Sequence, residues 1–227
     1  MKKYVIVSEK KWHFNLENEL NEVLPNTKWI TIKNFNDFNP NFLNKIKPAF
    51  IFIPHWSYLI PEEIFLNFNC IVFHMTDLPF GRGGSPLQNL IKAKFKKTKI
   101  TAIKVEKGID AGDIYLKNEL SLEGTAREIF EKSSIIIKNM IVEILTKNIK
   151  SIPQIGEATN FKRLKPEDGI LNELNDLEIV FDYIRMLDCD GYPPAYVETE
   201  NLKFEFSNAK HNKKSKLISA NVRIFKK

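Results

Sequence analysis

Short apolar runs alternate with polar, helix-like segments through the first two thirds of this chain, and that alternation constrains its fold most. Tyr4–Val7, Trp29–Ile32, Ala49–Ile53, Cys70–Phe73 and Ile100–Val105 are each rich in Ile, Val and Phe. Each is shorter than an average helix, so each reads as a strand. Intervening segments such as Asn15–Leu24 are long enough to carry crossover helices. Strands separated in this way cannot all pair as hairpins, and the pattern predicts an α/β domain around a mainly parallel sheet. With 227 residues, 43% of them hydrophobic, the chain can bury one good core, plus a small appendage. The same spread of aliphatic and aromatic residues excludes a disordered chain over most of the length.

Three helix starts are legible. Ser85-Pro86-Leu87-Gln88 offers an N-cap serine, proline at the first helical position and glutamine three residues on. Thr125-Ala126-Arg127-Glu128 is a second capping box, and Asn175-Asp176-Leu177-Glu178 opens a third helix. Composition shifts near Asn148–Glu157, with Pro153 and Gly156. A boundary is therefore expected there, giving a main domain over 1–150 and a small α+β region over 151–227. The tail holds one helix, a Gly191-Tyr192-Pro193-Pro194 break, and strands at Ala195–Glu198, Leu202–Phe206 and Leu217–Phe225. Thr199-Glu200-Asn201 is the expected turn between the first two.

Several classes are excluded or disfavoured. Two cysteines, Cys70 and Cys189, cannot make a disulfide framework or a CxxC zinc site. The start is too short for a signal h-region, and no apolar stretch is long enough to cross a membrane. A cytoplasmic location is the expectation. The net charge of +6 permits an anionic partner without requiring one.

The richest chemistry lies in Phe73-His74-Met75-Thr76-Asp77-Leu78-Pro79-Phe80-Gly81-Arg82-Gly83-Gly84-Ser85-Pro86. A strand ends at a histidine, a loop with proline and glycines follows, and then a helix begins. Ligands of open α/β sheets sit beyond the carboxyl ends of strands. Glycines such as Gly83 and Gly84 let backbone approach a substrate closely, and Arg82 could hold an anionic or polar group. The spacing is neither GxGxxG nor a P-loop, and His55 and His74 lack HExxH spacing, so no metal site is expected. A second segment, Glu106-Lys107-Gly108-Ile109-Asp110-Ala111-Gly112-Asp113-Ile114-Tyr115, follows the strand at Ile100–Val105. It offers Asp110 in a glycine-flanked turn, as a turn residue or as a carboxylate able to orient a histidine.

Together, His74-x-x-x-Leu78-Pro79-x-x-Arg82-Gly83-x-x-Pro86 and Gly108-Ile109-Asp110-x-Gly112-Asp113-Ile114 resemble the formyltetrahydrofolate-dependent formyltransferases. Phe161–Gly169, Ile184-Arg185 and Gly191-Tyr192-Pro193-Pro194-Ala195-Tyr196 are similar to the segment that follows the catalytic domain in the tRNA and sugar enzymes of that family. The resemblance implies a Rossmann-like formyltransferase domain with His74 and Asp110 as catalytic residues. It implies N10-formyltetrahydrofolate as co-substrate, with no metal. The folate site would be formed by Trp56, Tyr58, Leu59 and Ile60 after the third strand, with Ile109 and Asp110. Thr76, Arg82, Gly83 and Gly84 would face the acceptor. The family places an asparagine two residues before the histidine, where this chain has Val72. The short tail and the form of the histidine loop look most like enzymes that formylate 4-amino-sugar nucleotides, such as those of the pseudaminic-acid pathway. Formylation of methionyl-tRNA, or a catalytically weakened folate- or nucleotide-binding homologue, are the alternatives. A homodimer is compatible with all three.

Overall fold

The first strand, β1 (Lys2–Ser8), is apolar on both sides of its pleat: Tyr4, Val5, Ile6 and Val7 are all buried. Such a strand must be covered on both faces, which is the signature of a central strand in a parallel sheet. In the computed structural model, which describes all 227 residues, β1 indeed lies between parallel neighbours β2 (Thr27–Ile32) and β3 (Phe50–His55). α1 (Leu16–Val23) and α2 (Pro40–Ile46) make the crossovers. After α3 (Glu62–Asn67), β4 (Cys70–His74) joins β3 in parallel. A two-residue strand, β5 (Arg82–Gly83), and the helix α4 (Pro86–Lys92) precede β6 (Lys97–Lys104) and β7 (Ile114–Ser121). The six-stranded order is β2-β1-β3-β4-β6-β7, with β6 antiparallel to β4. The five strands read from the sequence are all present. β7 was not legible, because Ile114–Ser121 is half-exposed along most of its length and carries polar residues on both faces.

One face of the sheet packs Val5, Val7, Ile51, Ile53 and Cys70 against Ile32, Phe38, Leu43, Ile46 and Ile64. Tyr4 and Phe52 belong to the other face, where their rings meet Trp29 at centroid distances of 4.8 Å and 5.7 Å. The strand order reverses direction between β1 and β3. At that switch point the carboxyl ends of parallel strands part and leave a crevice. Ser8 and His55 stand there, and His74 ends the next strand along.

α5 (Ala126–Thr146) follows, then a two-residue strand β8 (Asn160–Phe161), α6 (Leu177–Leu187) and an antiparallel sheet β11-β10-β9. Its strands are β9 (Ala195–Glu198), β10 (Leu202–Asn212) and β11 (Leu217–Lys226). The chain forms two compact units that interleave in sequence. The first is Met1–Gly83, Lys99–Leu120 and Glu131–Asn160; the second is Gly84–Thr98, Ser121–Phe130 and Phe161–Lys227. No helix is long and apolar enough to cross a membrane.

Two of the three expected caps form. The Thr125 hydroxyl accepts from the Glu128 amide at 3.3 Å, and Glu128 accepts from the Thr125 amide at 2.8 Å. Asp176 accepts from the Ile179 amide at 3.0 Å. The third, at Ser85, does not form. Ser85 is left-handed (φ 51°) and makes no cap bond, because its hydroxyl instead accepts from the Leu164 amide at 3.0 Å. Gln88 is likewise drawn away and donates to the Met186 carbonyl at 3.1 Å. A contact distant in sequence outweighs the local capping preference at both residues.

Candidate active site

His74 stands at the carboxyl end of β4 and is only 7% exposed. The loop from Met75 to Arg82 curls back over it. Leu78-Pro79 is a cis peptide, Gly81 has φ 72°, and the Gly81 carbonyl lies 2.8 Å from His74 Nε2. That carbonyl can only accept, so His74 donates from Nε2. The other nitrogen, Nδ1, lies 3.4 Å from Asp110 Oδ2. Acceptors therefore stand at both ring nitrogens.

Asp110 lies on the turn between β6 and β7 and is itself left-handed, with φ 50°. Its Oδ2 accepts the Gly83 amide at 2.9 Å, so the carboxylate ties the histidine loop to its own turn. The turn is sterically specified. A side chain at Gly112 would collide with the Lys104 carbonyl oxygen.

The two loops are joined a second time by Gln154. Its amide nitrogen donates to the Asp110 carbonyl at 2.9 Å and to the Gly112 carbonyl at 2.8 Å. Its oxygen accepts from Arg82 Nη2 at 2.7 Å. The Arg82 Nε–H is buried without a partner. Thr159 completes the clamp, accepting the Gly81 amide on its hydroxyl at 2.8 Å and the Arg82 amide on its carbonyl at 2.9 Å. Neither Gln154 nor Thr159 was identifiable from sequence. Both lie in a polar stretch without periodicity, and a bridging amide leaves no local signature.

The structure thus brings His74, Asp110, Arg82 and Gly83 together. Thr76 is fully buried, and its hydroxyl donates to the same Gly81 carbonyl at 3.3 Å, so it braces the loop. Gly84 belongs to the second unit, where a side chain would meet Arg163 at 2.6 Å. Within the loop, Asp77 is bound by Lys117 and Lys99. Burial opposes its charge, but hydrogen bonds and attraction from the two lysines prevail and hold its pKa below the ordinary carboxylate value.

Val72 shares a strand face with His74 two residues away. It is half-buried, pairs in register with Ile53 and Ile103, and packs against the core. It has no hydrogen-bond donor to offer. Trp56 and Tyr58 lie in a ring cluster with Phe38 and Phe35, at centroid distances between 4.8 and 6.1 Å. The Trp56 Nε1–H is buried without an acceptor, while Leu59 (79%) and Ile109 (63%) are exposed apolar side chains. Ile60 packs on the core cluster.

A further group stands in the switch-point crevice. His13 is buried, with Nδ1 2.8 Å from the Ser8 hydroxyl. Burial, then the neighbouring His55 and Lys10, push its pKa down to about 3, so it is neutral. Nothing in its sequence setting marks it. No cluster of three His, Cys, Asp or Glu side chains has the arrangement of a metal site.

The chain is similar to known proteins along its whole length. Residues 166–225 match the family description "Methionyl-tRNA formyltransferase, C-terminal domain". A solved structure titled methionyl-tRNA formyltransferase, from Clostridium thermocellum, is 46% identical with a TM-score of 0.96, covering 100% of both chains. The chain belongs to the formyltransferase family. A curated methionyl-tRNA formyltransferase from Thermodesulfovibrio yellowstonii is 33% identical over 156 residues, 64% of this chain and 51% of that one. The chain spans about half to two thirds the length of the first curated relatives it matches. A sugar N-formyltransferase from a Shewanella species shares the fold at 18% identity, with a TM-score of 0.67 over 88% of this chain and 94% of that one.

Proposed function

We propose that the chain transfers a formyl group from N10-formyltetrahydrofolate to a primary amine, and that the amine is that of methionyl-tRNA. The observation that carries the reading is His74, held between the Gly81 carbonyl and the Asp110 carboxylate at a strand's carboxyl end. The acceptor follows the relatives, whose names favour methionyl-tRNA over the sugar nucleotide expected from the sequence.

The residues suit the folate. The buried, unpartnered Trp56 Nε1–H is a donor awaiting an acceptor, and Tyr58, Leu59 and Ile109 offer exposed apolar surface to a flat ring. In the reaction the acceptor nitrogen attacks the formyl carbon, a new C–N bond forms, and negative charge gathers on the formyl oxygen. The bond from that carbon to N10 then breaks, the acceptor nitrogen loses a proton and N10 gains one. His74 moves that proton, with Asp110 orienting the ring. The developing oxyanion needs donors. Val72 supplies none, so the protonated ring of His74 and the unpartnered Arg82 Nε–H are the groups proposed for that role.

An amino-sugar nucleotide is the second reading, favoured by the form of the loop from His74 to Pro86. Incubation with formyltetrahydrofolate and either methionyl-tRNA or a panel of 4-amino-sugar nucleotides decides between them. Formylmethionine released from the tRNA supports the first reading, and a formylated sugar nucleotide alone overturns it. No transfer to any amine, with folate still bound, overturns both.

A further inference from the structure

β6 pairs with β4 so that Thr101 stands opposite His74. Thr101, and Lys99 two residues before it, therefore share the sheet face that carries the histidine. The loop from Met75 to Arg82 runs over this face before Gly81 returns to the ring, and every residue that holds it belongs to the first unit. At its root the Thr101 hydroxyl donates to the Thr76 carbonyl at 2.6 Å. At its tip the Gly81 amide donates to Thr159. Between them, Lys117 on β7 donates from Nζ to Asp77 Oδ1 and to the Leu78 carbonyl, both at 2.5 Å. Lys99 Nζ lies 2.9 Å from Asp77 Oδ2.

These contacts differ in weight. The Lys99 and Asp77 side chains are 41% and 43% exposed, and an isolated pair of that kind contributes little. Lys117 is less exposed, and one of its bonds goes to the carbonyl of Leu78, a residue with no exposed surface. Leaving a buried carbonyl without its charged donor costs more than losing a surface pair. The hold is also transmitted. The Phe80 amide donates to the Asp77 carbonyl at 3.1 Å, closing Asp77–Phe80 into a turn. The next carbonyl along the chain is that of Gly81, which accepts from His74 Nε2.

We infer that Lys117 is a positioning residue for His74. Through Asp77 and the Leu78 carbonyl, with Lys99 as a second cation on Asp77, it fixes the turn that sets the Gly81 carbonyl against the imidazole. Its effect on turnover rests on His74 as the group that moves the proton; its hold on the loop does not. Asp77 is needed for its charge, since without it two ammonium groups converge on one point uncompensated.

Lys117→Met removes both bonds and keeps the apolar stem, and two readouts test it. The first is hydrogen exchange, which needs no substrate. The Phe80 and Gly81 amides are expected to exchange about 10–100-fold faster, with those of β4 unchanged. The second is steady-state kinetics. A fall of about 10–100-fold in kcat is expected, with KM for formyltetrahydrofolate unchanged. In a His74→Ala background, Lys117→Met is expected to lower the residual turnover no further, because the two act through one group. Asp77→Asn alters an exposed side chain of the same size and carries the same expectations should Lys117→Met not fold. Lys138→Met, which breaks an ion pair between α5 and Glu19, is expected to change neither readout.

Unchanged exchange at Phe80 and Gly81 overturns the inference. So does a loosened loop with parental kcat, a raised KM with unchanged kcat, or an equal further loss in the His74→Ala background. Equal effects from Lys138→Met overturn it too. A parent that transfers no formyl group overturns the proposed function instead, and exchange at the two amides still decides whether Lys117 holds the loop.

Discussion

Val72→Asn is the most informative single change. It places an amide on the strand face of His74, two residues away, where the resemblance read from the sequence implies an asparagine and this chain has valine. An oxyanion donor typically contributes about 10²–10³ in rate. The new amide sits among neighbours packed around valine, so a gain of roughly tenfold in kcat is expected, below that range. The stability cost can be worked from the surroundings. Burying a whole valine side chain contributes about 1.5–3 kcal/mol. Val72 is half-buried beside Ile53 and Ile103, so removing its methyls costs about 1 kcal/mol. An amide without a partner costs about 1 kcal/mol more. For a chain of this size the sum of about 2 kcal/mol lowers the melting temperature by roughly 4–8 °C. Steady-state kinetics with formyltetrahydrofolate varied, alongside a thermal melt, measures both. A folded variant whose kcat stays at or below the parent's refutes the reasoning. The formyl oxygen would then not lie over this strand face.

His74→Ala is expected to lower turnover about 10²–10⁴-fold while the chain still melts cooperatively; near-parental turnover removes the histidine from the mechanism. Gln154→Ala breaks hydrogen bonds to Asp110, Gly112 and Arg82, so a loss of about 2–3 kcal/mol in denaturant unfolding is expected, together with reduced kcat. A loss below about 0.5 kcal/mol would show that the clamp is not needed. His13 carries a pH dependence. The unfolded chain takes up a proton below about pH 6.5, whereas folded His13 stays neutral down to about 3. Its contribution to stability is therefore fully present above pH 6.5 and falls by about 1.4 kcal/mol per pH unit below it. His13→Phe should retain about 2 kcal/mol more of its neutral-pH stability at pH 5 than the parent does, and equal pH dependence in the two chains would contradict this.

The sequence carries the fold well where burial is symmetric. β1, β3 and β4 are apolar on both faces and could be nothing but inner strands of a covered sheet. β7 was hidden because its pairing is decided by a neighbour and not by its own pattern. The site was half-legible for a related reason. His74 and Asp110 sit at punctuated positions, next to proline and glycine, which the chain marks strongly. Gln154 and Thr159 act through hydrogen bonds formed across long loops, and such bonds leave no trace in local composition. Ser85 shows the converse. A strong local signal was overruled by one amide from Leu164.

The interleaving of the two units bears on how the chain is made. Leu87, Leu90 and Ile91 are buried in the finished protein and belong to the second unit, whose largest piece begins only at Phe161. At about 5–20 residues per second, a ribosome takes roughly 4–15 s to travel from one to the other. For that time an apolar helix has emerged without most of its final surroundings, while β1 to β4 already have one another. The nascent chain therefore offers chaperones a defined window of exposure. Slowing translation between these two segments should lengthen that window and lower the soluble yield, without altering a single contact of the native state.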